Sequence, residues 1–158
     1  MFKLFRRNDD DDKFVAKLEA AAQRSIEKAD QRRAEREAKK AAERLAKAET
    51  FEAEMKQETP AAQRLLWLLL EINESDAEAW ASRAMIAARL GRPSGRLTEH
   101  DRALLEWLVK ARSWVKCRKA AKPLEDWRPR GWQYEYRLVA HVGASLQLLR
   151  KRDAGELV

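Results

Sequence analysis

Six large apolar residues run without a break at Leu65-Leu66-Trp67-Leu68-Leu69-Leu70, and nowhere else does the chain do this. A helix that is apolar on every side has to be enclosed by other elements. Pro60 to Asn73, at about 14 residues, is shorter than the roughly 20 that cross a bilayer. A buried strand is the other reading of such a run. Helix is favoured because leucine forms helices well, no β-branched residue interrupts the run, and Thr59-Pro60 supplies an N-cap followed by proline at the first helical position.

Before this segment the pattern changes character. Residues 13–58 contain no Gly or Pro and are rich in Ala, Glu, Lys, Arg and Gln, which predicts one long helix spanning about 70 Å if unbroken. Glu35 with Lys39, Glu43 with Lys47 and Glu52 with Lys56 stand in the favourable order for pairing along it. Its apolar seam is thin: Phe14, Leu18, Ala22, Ile26 and Ala29, then Ala38, Ala41, Leu45, Ala48 and Met55. A committed coiled coil wants larger residues at its seam. The arm therefore reads as a spacer or assembly element, a possible coiled coil with another protein or a second copy, docking through Phe14, Leu18 and Leu45. Residues 1–12 read as a flexible tail. It begins Met1-Phe2-Lys3-Leu4-Phe5, too short an apolar run for a signal peptide, and Phe2, Leu4 and Phe5 are candidate docking residues.

After the central helix, Ser75 with Glu78 forms a capping-box pattern, and residues 76–90 read as a helix that Gly91 closes and Pro93 follows. Trp80, Ala84, Ala87 and Leu90 share one face of it. Two helices joined so closely pack as an antiparallel hairpin. Thr98 with Asp101 opens another expected helix, to about Lys122, with Leu104, Trp107, Leu108, Ala111, Trp114 and Val115 facing the core. A last helix is expected from Trp132 to Arg152, with Trp132, Tyr136, Val139, Val142, Leu146 and Leu149 inward. The expected fold is all-α: a long charged N-terminal helix and a compact four-helix domain of antiparallel hairpins over residues 59–158.

Ala62, Leu66, Leu70-Glu71-Ile72-Asn73, Ala77-Glu78-Ala79-Trp80, Ala84 and Gly91-Arg92 resemble, over residues 60–92, the junction between two tetratricopeptide repeats. The resemblance implies a helical hairpin and a protein-binding or scaffolding role without catalysis.

Charge then narrows the choice. Residues 1–58 hold 15 Lys or Arg against 14 Asp or Glu, whereas the remaining hundred hold 18 against 12. A cationic domain favours an acidic partner. The surplus sits in residues 102–137, with ten basic residues against four acidic and with Trp107, Trp114, Trp127, Trp132, Tyr134 and Tyr136 among them. On a helix, Arg112, Lys116 and Lys119 would form one mutually repelling stripe that calls for an outside anion. Lys122, Trp127, Arg128, Arg130 and Trp132 extend it into a loop where cations and stacking rings could be shown together.

A helix-turn-helix, with Gly143 as the break and Ser145 capping a recognition helix, is opposed by the unbroken apolar spacing across Gly143. Enzyme readings fare worse: there is no Gly-rich phosphate loop, no metal-ligand cluster and no convincing acid/base pair. No cofactor is implied. Cys117 is the single cysteine, so no intramolecular disulfide can form and a reducing, cytoplasmic setting is expected. The expectation is a non-enzymatic helical subunit of a larger assembly whose basic face meets an acidic partner. DNA or RNA binding without sequence preference is the alternative, and membrane anchoring by Phe2, Leu4 and Phe5 a third.

Overall fold

The structure, a computed structural model, describes residues 9–75, 79–122 and 131–156. It is predominantly helical, led by the long N-terminal helix the composition predicts, α1 (Asp9–Met55). Then follow α2 (Pro60–Ser75), β1 (Ala81–Ser82), α3 (Arg83–Arg89), α4 (Glu99–Lys110), β2 (Val115–Ala121), β3 (Trp132–Leu138) and α5 (Ala140–Asp153). The chain divides into two units between Glu43 and Arg44, inside α1.

In the first unit, α1 is solvent-exposed at every residue from Asp12 to Glu43, Phe14 and Leu18 included. So thin a seam, Ala between a few larger residues, has little to bury, and side-chain pairs such as Arg33–Glu37 (3.2 Å) dress the surface.

The second unit, residues 44–158, contains the core. Its centre is the apolar run: Leu65, Leu66, Leu68, Leu69 and Leu70 are all buried, and only Trp67 is half-exposed, beneath the Arg150 guanidinium at 5.7 Å. The helix starts where the sequence indicates, with the Thr59 hydroxyl accepting from Ala62 N–H at 3.3 Å. The last turns of α1 contribute Ala48, Phe51 and Met55 to the same core, and Phe51 meets Trp114 edge-to-face at 5.0 Å. Leu105 and Leu108 of α4 and Val142, Leu146 and Leu149 of α5 close it. The helix α5 runs unbroken through Gly143.

The departures from an all-helical domain are local. The helix expected to reach Lys122 ends at Lys110. Ser113 turns into the left-handed region (φ 55°), and Trp114 N–H donates to Leu108 O at 3.0 Å. Residues 115–121 then form a strand, and residues 132–138, expected to begin the last helix, form its antiparallel partner. The cause is legible in β3, where Trp132, Tyr134, Tyr136 and Leu138 alternate with Gln133, Glu135 and Arg137, a two-residue period that suits a half-buried strand. The expected helix over 76–90 is likewise shortened to Arg83–Arg89. Ala81 pairs with Tyr136 and Ser82 with Glu135, giving a sheet ordered β1-β3-β2. Glu78 of the Ser75 capping-box pattern lies outside the described residues, and the cap of α3 is Ser82, which accepts from Met85 N–H.

The Thr98–Asp101 capping box is present as read: Asp101 N–H donates to the Thr98 hydroxyl and Thr98 N–H to the Asp101 carboxylate. Asp101 is buried and also takes two bonds from Arg92, at 2.9 and 2.6 Å. Burial alone would raise its pKa. The bonds from Arg92 and Thr98 outweigh that and hold it below the ordinary range.

Candidate functional site

The hairpin β2–β3 decides where cations and rings go, because side chains on a strand alternate between faces. Val115, Cys117, Lys119 and Ala121 share one face with Leu138, Tyr136, Tyr134 and Trp132, their cross-strand partners. At the Val115–Leu138 end this face packs on the core, and Val115, Tyr136 and Leu138 are buried. Towards the other end the same face leaves the core: Lys119 is exposed, Tyr134 is 44% exposed and Trp132 64%. A half-buried strand that runs past its core displays its aromatic face to whatever lies beside it.

Beside it lie α3, α4 and the loop joining them. They enclose two adjoining cavities of about 570 and 620 Å³, which share Arg83, Arg102 and Tyr134 as wall. The first is completed by Arg96, Lys122 and Trp132, the second by Glu99, Glu106, Lys110 and Cys117. Together they make one groove floored by the sheet and edged by cations.

The cations are held in different ways. Arg83 lies over the Tyr134 ring at 4.6 Å and donates through Nε to the Tyr136 hydroxyl at 3.1 Å. Such an arginine is fixed in place, and among the described residues no carboxylate pairs with it. Lys119 Nζ stands 5.6 Å from the centre of the Trp132 ring. Lys110 is engaged by Glu106. Among the described residues, Arg96, Arg102 and Lys122 have no ion pair within 4 Å. Lys122 is placed by its backbone, whose N–H donates to Gly131 O at 2.8 Å. Burial raises the pKa of both Tyr136 and Cys117. The Cys117 thiol is therefore a poor nucleophile at neutral pH.

The residues singled out from sequence separate into three groups. Lys122 and Trp132 come together in the groove, and Lys119 stands beside it against the Trp132 ring. Arg112 and Lys116 do not join them, so the single helical stripe of Arg112, Lys116 and Lys119 does not exist. Arg112 follows the end of α4, bonded to the Glu58 carboxylate and stacked 5.2 Å over Trp114. Lys116 is exposed on the other face of the sheet, beside Arg118, which pairs with the buried Glu135 at 2.7 Å and covers Trp80 at 4.4 Å. Trp127, Arg128 and Arg130, like Phe2, Leu4 and Phe5, lie outside the described residues. Trp107, expected in the core, is 48% exposed and donates to Glu58 at 3.0 Å. Leu45 is half-buried.

Sequence reasoning missed Arg83, and counted Arg102 and Tyr134 within residues 102–137 without singling them out. The alternation along β3 would have found Tyr134. The two arginines are brought to it only by the pairing of β1 and the packing of α4, for which no local pattern exists.

No group of His, Cys, Asp and Glu among the described residues could hold a metal ion. No helix among them is long and apolar enough to cross a membrane. Comparison of the chain with protein-family models, with curated proteins and with solved structures finds no match.

Proposed function

We propose that this is a non-enzymatic interaction protein, in which residues 44–158 form a binding module for an anionic partner and the helix over residues 13–43 serves assembly. The observation that carries the reading is the groove: Arg83, Arg96, Arg102 and Lys122 line it, with Lys119 against its Trp132, brought together from α3, the α3–α4 loop, α4 and the end of β2. Like charges gathered from distant sequence repel one another unless an anion sits among them. Elsewhere in this unit several arginines already have carboxylates. Arg152 is bound to Glu52, Arg150 to Glu74, Arg118 to Glu135 and Arg92 to Asp101. At the groove, Arg96, Arg102 and Lys122 have no such partner among the described residues.

A heparin column tests this, since a polyanion reports such a site through its salt dependence. The full chain should be retained at low salt and released as salt rises. Arg102→Glu combined with Lys119→Glu, both exposed, should elute much earlier with an unchanged circular dichroism spectrum. Equal retention of the double variant would contradict the reading.

A further inference from the structure

The groove is more than a basic patch, because its floor presents aromatic ring surface. Trp132 and Tyr134 are consecutive residues of one face of β3. Two such residues lie roughly 7 Å apart along a strand, which gives each ring room for its own planar ligand. Ring faces carry negative quadrupole potential and repel carboxylates, while they attract cations and flat, polarisable rings. An acidic peptide would satisfy the cations and gain nothing from Trp132 and Tyr134. A nucleic acid satisfies both, with phosphates for Arg96, Arg102, Lys119 and Lys122 and bases for the rings. In a duplex the base faces are already stacked on one another, so only an unpaired strand can offer them.

We infer that this groove binds single-stranded nucleic acid, with bases stacking on Trp132 and Tyr134 and phosphates lying along Arg96, Arg102, Lys119 and Lys122. The inference rests on the anionic-partner reading and narrows it to one class of anion. Arg83 is part of the platform: fixed by its bond to Tyr136 and lying over one face of the Tyr134 ring, it offers its guanidinium plane as a stacking surface beside that ring. Stacking and charge give binding that tolerates any sequence. Glu99 and Glu106 on α4 repel phosphate at the far cavity, which directs the strand to the Trp132 end.

Fluorescence anisotropy of the full chain with labelled oligothymidylate of about 12 nucleotides tests this, within the range of single-strand site sizes. A matching oligouridylate, a duplex and poly-glutamate serve as competitors. Both single strands should compete, and the ratio between them tells DNA from RNA as the preferred source. Trp132→Ala and Tyr134→Ala should each weaken binding about 5- to 100-fold. Lys119→Gln and Lys122→Gln should each lower the slope of log affinity against log salt by about 0.7. Trp107→Ala, an exposed tryptophan bonded to Glu58 and absent from both cavities, should bind as the parent does. Equal competition by duplex, preference for poly-glutamate, or affinity indifferent to Trp132 and Tyr134 would overturn the single-strand inference while leaving the anionic-partner reading in place. Binding to none of the polyanions would overturn both.

Discussion

Arg152 grips Glu52 with both guanidinium arms, at 2.8 and 3.1 Å, joining the end of α5 to the last turns of α1 across 100 positions of sequence. Hydrogen bonds from Arg152, then from Lys56, hold the Glu52 carboxyl down from its ordinary 4.5 to about 2. A carboxyl depressed on folding contributes stability that is complete above its unfolded value and is lost as pH falls through the folded one. Glu52→Gln should therefore melt below the parent at neutral pH. The gap between the two melting temperatures should close as pH falls from about 4.5 towards 2. Thermal melts of both proteins across that range give the answer.

The same junction predicts which truncations fold. Ala48, Phe51 and Met55 are buried in the core of residues 44–158. A chain beginning at Arg44 should keep a cooperative urea transition close to that of the full chain. One beginning at Thr59 should lose it, because the faces of Leu65, Trp114 and their neighbours would be left open. Phe51→Ala should cost about 3–5 kcal/mol, as aromatic-to-alanine changes in cores do.

Leu66 and Leu18 make the contrast between enclosed and bare leucine. Leu66→Ala should destabilise by about 2–5 kcal/mol. Leu18→Ala, on the exposed stretch of α1, should stay within about 0.5 kcal/mol. Urea unfolding at low protein concentration measures both. If the helix pairs with a partner through Phe14 and Leu18, the second variant should instead show its effect as weaker association.

Asp101 links stability to the groove. It caps α4 through Thr98 and anchors the preceding loop through Arg92, and that loop and helix carry Arg96 and Arg102. Asp101→Ala leaves Arg92 and the Thr98 N–H without their acceptor, and should cost about 1–3 kcal/mol in chemical denaturation. Heparin retention should weaken in parallel, although Asp101 itself contributes no positive charge to the groove.

How far the sequence discloses this protein depends on the range of the determining interactions. The enclosed helix at Leu65–Leu70, the charged helix before it and the Thr98–Asp101 cap depend on neighbours within a turn or two, and each was legible. The hairpin was not, for two reasons. Residues 115–121 are mostly Lys, Arg and Ala, good helix formers, and only pairing with β3 overrides that preference. In β3, Trp132 and Tyr136 satisfy a spacing of four as well as of two, so a helical stripe could be drawn through an alternating strand. That ambiguity put Trp132 on the inward face of an expected helix as well as in the candidate site, and the helical preference of residues 115–121 turned Lys116 and Lys119, which lie on opposite faces of β2, into one stripe. Arg83 and Arg102 were beyond reach, because their nearness to Tyr134 is a property of the tertiary fold alone.

The most direct measurement of the central claim is a heparin titration of the isotopically labelled full chain, followed by nuclear magnetic resonance. Its amide and indole shifts report the bound surface residue by residue. The account predicts that the largest changes fall on Arg96, Arg102, Lys119 and the Trp132 indole. Changes confined to residues 13–43, or to Arg150–Arg152 at the end of α5, would contradict it.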